Sequence, residues 1–339
     1  MICAGCAVPR RREAVYHACW IERKRQGRME LSHTQRPAAP PMHFAWLSVA
    51  AAIATISIKL GAYFITNSVG LLSDALESFI NLVTALLTLW VLAVAARPPD
   101  QEHAYGHTKA EYLSSGVEGA LIVIAAFTIV YTAVPRLIDP EPIARIGWGL
   151  ALSLLAAIIN LVVAQVLLRA SKTYSSIALE AESRHLMTDV WSSLGVVIGL
   201  GLTVVTGYSR FDPIIALLVA VNIIWSGFQL LRRSALGLLD TALPPAELAK
   251  IEAVLAGYTA VGVSYHALRT REAGARRFIS VHILVPGNWS VLVGHHLLEE
   301  IEFNIRAIIP AATVFTHLEP LEDPLSFEDT ALDREEGGT

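Results

Sequence analysis

His185 and Asp189 stand four apart in "HLMTDVWSS", and Glu77 and Asn81 stand four apart in "SDALESFINLV". Imidazole, carboxylate and amide oxygen all ligate divalent metals, and this spacing puts each pair on one face of a helix. Both pairs, with Asp74 nearby, interrupt apolar runs of membrane-crossing length. An ionisable residue at mid-bilayer costs about 2.5–3.5 kcal/mol. Glu77, His185 and Asp189 facing lipid would together cost on the order of 10 kcal/mol, so they belong in a bundle interior. Helices pack about 8–10 Å apart, close enough for two such faces to aim all four side chains at one spot. Two carboxylates, an amide and a neutral imidazole suit a tetrahedral divalent ion and balance its charge where the dielectric is low. Helix–helix hydrogen bonding is the competing use of any one such residue, but two spaced pairs on separate spans favour metal.

The elements that must carry these residues follow from hydropathy. The 339 residues are 54% apolar and 17% charged, against about 25% charged in an ordinary soluble domain, and mean hydropathy is +0.50. A net charge of -4 gives no footing for nucleic acid. Six apolar runs approach the ~20 residues needed to cross a bilayer: Phe44–Ile65, Leu71–Ala96, Leu113–Val134, Gly147–Leu168, Ile177–Thr206 and Pro213–Leu231. The basic arm, Arg97, Lys109, Arg169, Lys172, Arg184, Arg232 and Arg233 fall on one side, and only Arg136, Arg145 and Arg210 on the other. The positive-inside rule then places both termini in the cytoplasm.

Residues 1–41 read as a basic, disordered arm with no signal-peptide core, and Met42 directly before the first span offers an alternative start. The cysteines, Cys3, Cys6 and Cys19, all lie in that arm. With His17 they could hold zinc, though "CAGC" is a weak signal, and any metal site in the body must use oxygen and nitrogen. Residues 42–240 form the transmembrane domain. From 241 to 323 the pattern becomes α-β-β-α-β, an α+β sheet with helices on one face. The helices are "PPAELAKIEAVLAGY" and "SVLVGHHLLEEIEFNIRAII"; the strands are "GVSYHALRTRE", "RRFISVHILVP" and "ATVFTHLEP". Residues 324–339 read as an acidic, disordered tail. His266, His282 and His317 each fall on a different predicted strand, and neighbouring strands lie about 4.8 Å apart, so these histidines can approach one ion or two.

In the stretches "SVGLLSDALESFIN", "RPPDQEHAYGHTKAE", "HLMTDVWSS", "GLLDTAL", "YHALRTR", "FISVHI" and "FTHLEP" the sequence resembles the cation diffusion facilitator family, membrane exporters of divalent transition metals. The resemblance runs over Phe44–Asp323. It implies six spans, a cytosolic ferredoxin-like domain, a homodimer and proton-coupled efflux. By position Glu77 and Asn81 take the second-span ligand places, and His185 with Asp189 matches the fifth-span pair. The departure is Glu and Asn where Asp or His is followed by Asp, which removes one negative charge. The resemblance further implies an auxiliary loop site of Asp100, His103 and His107, and a charge pair of Lys109 with Asp240 at the dimer interface. It also implies a cytosolic two-metal site of His266, His282, His295, His317 and Glu319, with Glu319 in an aspartate's place.

Other features read as structural. His296 is expected on the helix surface, Lys59 to extend toward an interface, and Glu118 to be a hydrogen-bonded interior residue, with a proton carrier as the competing use. The reading is a proton-coupled exporter, not an enzyme, in a bacterial-type inner (plasma) membrane. Cytosolic metal brings the soluble domains together and favours inward loading; protons returning through His185 and the carboxylates displace the ion. The ligand set disfavours copper(I) and magnesium. Zinc and iron(II) lead, with cobalt, manganese, cadmium and nickel open. The rivals are a metal-sensing scaffold that has lost transport, resting on Asn81 alone, and an intramembrane metalloenzyme, for which no HExxH motif appears.

Overall fold

The computed structural model describes residues 42–66, 69–139, 148–208 and 210–328. The arm with Cys3, Cys6, Cys19 and His17, and the tail from 329 on, lie outside them, as do the side chains of Asp74 and Glu77. The chain divides between Leu239 and Asp240 into two compact units.

The first unit is helical: α1 His43–Thr66, α2 Val69–Ala95, α3 Ala110–Ile138, α4 Trp148–Tyr174, α5 Ile177–Thr206 and α6 Phe211–Leu238. Helices satisfy every backbone group internally, which an apolar solvent requires. Among the described residues four stretches are long and apolar enough to cross a membrane: His43–Gly61, Ala110–Ile138, Leu154–Tyr174 and Pro213–Leu238. The described apolar part of α2 is the shorter Asn81–Ala95, and α5 is interrupted by Glu180, Glu182, Arg184, His185 and Asp189.

Three helices outrun the hydropathy limits. α3 passes Pro135 to Ile138, with the Pro135 carbonyl still accepting from Asp139 N at 2.9 Å. α4 continues from Leu168 to Tyr174 and α6 from Leu231 to Leu238. Hydropathy marks where polar residues begin, whereas a helix ends where its backbone meets a terminator. For α4 that terminator is Ser175, at φ 52°, and Ser176 N then bonds back to Ser171 O at 3.0 Å. Packing also overrides one side-chain expectation. Lys59, expected to reach an interface, is 5% exposed.

α3 and α6 approach closely where glycines face each other. A Cβ on Gly119 would lie 3.2 Å from Leu231 N and 3.3 Å from the Gly227 carbonyl oxygen. Small residues permit such backbone contact between apolar helices. Glu111 of α3 closes a second joint. Buried, it accepts from Ser176 Oγ and from Ala178 N at 3.3 Å, capping the start of α5. A carboxylate is favoured at a helix N-terminus. Glu111→Ala leaves those donors unsatisfied and should lower stability by about 1–3 kcal/mol, while Glu111→Gln keeps an acceptor and most of the stability. Thermal melting of the full chain in detergent checks this, and an unshifted Glu111→Ala would count against the cap.

The second unit holds α7 Pro245–Ala256, β1 Ser264–Ala273, β2 Arg276–Val285, α8 Val291–Ile308 and β3 Ala312–Pro320, the element order the pattern predicts. β1 pairs antiparallel with β2 around Gly274, and β2 pairs parallel with β3. A parallel pair needs a crossover, which α8 supplies. Ile279, Val281, Ile283 and Val285 alternate onto the core face, against Ile251 and Leu255 of α7 and Leu297, Ile301 and Ile305 of α8. His282 alternates onto the opposite face. The chain after β3 departs from the expected tail: Pro324–Phe327 forms a 3-10 turn. Asp323 Oδ1 caps Leu325 N at 3.0 Å, Ser326 Oγ donates to Pro320 O at 2.8 Å, and the Phe327 ring stands edge-on 5.9 Å from His266. These local bonds, together with an aromatic side chain on an available ring, outweigh the acidic composition.

Candidate metal centres

Asn81 of α2 meets His185 and Asp189 of α5. Its Nδ2 donates to Asp189 Oδ2, and its Oδ1 stands 2.8 Å from His185 Nε2. Turning the amide over would set its oxygen against the carboxylate, so this orientation follows from charge. The carbonyl then accepts from Nε2–H, which leaves Nδ1 the bare nitrogen of a neutral ring. All three side chains are buried. Glu77 lies one turn earlier on α2, with its side chain outside the described residues.

A residue absent from the sequence reading completes the group. Asn160 of α4, 2% exposed, donates through Nδ2 to Asp189 Oδ2 at 3.1 Å. The signal was available: Asn160 and Gln165 are the polar residues inside "LLAAIINLVVAQVLL", and the cost argument applied to the other spans applies to them. Glu182, three residues before His185 and fully buried, was missed likewise. Glu118 is an interior hydrogen-bonded residue, accepting from Thr88 and Ser114.

In the loop before α3, Asp100, His103 and His107 come together. His103 Nδ1 lies 3.4 Å from Asp100 Oδ1 and His107 Nε2 lies 3.3 Å from Asp100 Oδ2. Asp100 also accepts from His103 N at 2.7 Å and Glu102 N at 3.1 Å, an Asx turn. The His103 backbone N–H, which favours the carboxylate form, chiefly holds Asp100 below the ordinary carboxylate range. Lys109 follows, its Nζ 3.4 Å from Leu238 O. Asp240, its expected partner, belongs to the second unit and there pairs with Arg271 at 3.0 Å.

On the sheet His266, His282 and His317 lie in register across β1, β2 and β3. His266 Nε2 stands 2.8 Å from Glu319 Oε2 and 3.2 Å from His282 Nδ1, which lies 3.2 Å from Glu319 Oε1. An ion with ~2.0–2.1 Å bonds separates tetrahedral ligands by about 3.3–3.4 Å, so tenths of an ångström would admit one. Two imidazole nitrogens and a carboxylate so close together fit a divalent metal. β1 carries an extra residue between His266 and Arg269, with Ala267 at φ 47°, and such a bulge re-aims the neighbouring side chains. His317 is exposed, its ring 4.9 Å from that of His282.

Of the expected cytosolic set His295 is not gathered. It is exposed on α8, while His296, expected on the surface, is 9% exposed. The buried stripe Val293, Leu297, Ile301 and Ile305 explains the exchange, because positions three and four apart share a face and 296 sits on it.

Comparison with known proteins matches the same two units. Residues 45–239 match the cation efflux transmembrane domain, and residues 243–321 the cytoplasmic domain of cation efflux proteins. The chain is 52% identical over 295 residues to an uncharacterized transporter, sll1263, of Synechocystis sp., covering 87% of this chain and 94% of that one. It is 30% identical over 273 residues to the cation-efflux pump FieF of Salmonella arizonae, covering 80% and 90%. A solved structure of CzrB in a zinc form is 32% identical over 24% of this chain and 93% of its own, with a TM-score of 0.23. A transmembrane match over residues 45–239, joined to the cytoplasmic match and to a cation-efflux pump along most of its length, makes this chain an integral membrane protein of the cation diffusion facilitator family of metal transporters.

Proposed function

We propose that this protein exports a divalent transition metal in exchange for protons, as a homodimer with six spans, both termini cytoplasmic, in a bacterial-type inner membrane. The observation that carries the reading is the buried contact of Asn81 with His185 and Asp189. An arriving ion replaces the His185–Asn81 hydrogen bond, taking Nε2, the Asn81 carbonyl, Asp189 and Glu77 as ligands, while the ring proton moves from Nε2 to Nδ1. Returning protons, taken up by His185 and the carboxylates, displace the metal, and the hydrogen bond re-forms. Zinc and iron(II) suit two carboxylates, an amide and an imidazole. Asp100, His103 and His107 serve as an auxiliary loop site. In the second unit, read as ferredoxin-like, His266, His282 and Glu319, with His317 beside them, hold the regulatory metal. Lys109 and Asp240 form an interface pair in the working dimer.

Proteoliposomes with an imposed pH gradient test the reading. Uptake of zinc, iron(II), cobalt and manganese should accelerate with the gradient, and gradient-independent rates for every metal would overturn it. Asn81→Asp probes selectivity in the same assay. It sets two carboxylates in contact, an arrangement that needs a proton or a cation between them. The expected result is a steeper pH dependence and a changed rank order among the four metals. An unchanged slope and order would remove Asn81 from the selective ligands.

A further inference from the structure

Glu118 of α3 and Glu182 of α5 are both fully buried, and neither is among the side chains gathered around Asp189. Thr88 of α2 stands between them, its Oγ1 2.9 Å from Glu118 Oε1 and 3.4 Å from Glu182 Oε2. Ser114 Oγ lies 3.1 Å from Glu118 Oε1, and Ser48 of α1 donates to Glu182 Oε1. Among the described residues the hydrogen-bond partners of both carboxylates are hydroxyls. Among the described residues Glu118 Oε2 is sealed from solvent and has no hydrogen-bond partner.

Proton counting decides what this arrangement holds. Thr88 has one hydroxyl proton and can donate it to one carboxylate only. Both Thr88 contacts become hydrogen bonds at once if one carboxyl is protonated and donates to Thr88 Oγ1. Two ionised carboxylates here would also set two like charges beside each other in a low-dielectric interior. Glu182 has a donor at each oxygen, whereas Glu118 has a bare one, so ionised Glu182 is the better satisfied.

We propose that Glu118 and Glu182 form a proton-binding site inside the helical unit, one proton seated on Glu118 and shared with Glu182 through Thr88, distinct from the side chains that meet the metal. Transfer balances without a co-reactant. The Glu118 O–H proton passes to Thr88 Oγ1 as the Thr88 proton passes to Glu182 Oε2, and the pair keeps one negative charge. Glu182 lies three residues before His185 on the same helix face, so the site adjoins the metal pathway. Besides Glu182, α5 presents His185 to the pair. α2 and α1 present Thr88 and Ser48, and α6 meets this stretch of α3 through Gly227, Leu231 and Ser234.

The inference rests on the proton-coupled reading, and two assays on full-length protein in proteoliposomes separate them. Metal–metal exchange at equal pH needs no net proton movement; gradient-driven uptake with a lumenal pH dye counts protons per ion. Glu118→Gln should keep exchange near the wild-type rate and lose about one proton per ion. Its gradient-driven uptake should fall at least about ten-fold, as when a positioned proton-transfer group is removed. If that variant fails to fold, Thr88→Val cuts the bridge with both carboxylates in place, and the same losses are expected. A coupled wild type matched by the variants in protons per ion overturns this inference alone, as does an equal loss of exchange and uptake. A wild type that moves metal but no protons overturns the coupled reading and this inference with it.

Discussion

Asp189→Ala should abolish metal uptake while leaving a folded protein. Asp189 supplies the carboxylate on which Asn81 and Asn160 converge, and it carries half the charge that neutralises a divalent ion when Glu77 supplies the other half. Loss of an outer-shell partner costs about 10–100-fold in metal affinity, so loss of the ligand itself should exceed about 100-fold. Asp189→Asn separates charge from shape: it keeps a side chain of the same size without the charge, and uptake should still fail. Asn160→Ala should lose about 10–100-fold in metal affinity as the orienting partner. Initial rates of metal uptake, with gel filtration to confirm folding, read all three. Wild-type uptake by Asp189→Ala would remove this cluster from the transport path.

The second unit should gain a large thermal shift from zinc. At a free concentration 100 times the Kd one bound ion stabilises by about 2.7 kcal/mol, which for a domain of this size is roughly 10–20 °C in Tm. The shift should vanish in His266→Ala/His282→Ala, which removes two of the three clustered side chains, and survive in His295→Ala, whose side chain stands apart on α8. Protons compete for imidazole ligands, so the shift should shrink on acidification. Differential scanning of the segment 240–328, which has its own core, makes the measurement. An unshifted wild type at saturating zinc would leave the histidines a structural role.

The two units were legible to different degrees. In the second unit the alternation of Ile279, Val281, Ile283 and Val285 and the stripe through Leu297, Ile301 and Ile305 announce strand and helix directly. Its histidines were only partly legible. The bulge at Ala267 leaves no hydrophobic mark, and the choice between His295 and His296 depended on a stripe that was readable but not followed. In the helical unit the polar interruptions at Asn81, His185 and Asp189 showed which faces turn inward. The helix ends did not show, because backbone termination at Ser175 is not a matter of hydropathy.

By itself the sequence determined that a largely apolar helical unit carries inward-facing side chains of metal-ligating type, and that a small α-β-β-α-β unit follows. Burial cost and side-chain periodicity operate along the chain, and both can be read there. Only the tertiary structure decided that Asn160 rather than another interior polar group supports Asp189, that Glu319 and not His295 joins His266 and His282, and that Thr88 links Glu118 to Glu182. Spacing along a helix sets which side chains share a face. Which neighbouring helix that face meets, and at what height, depends on packing among residues distant in sequence, as where Gly119 lets α3 close on Gly227 of α6.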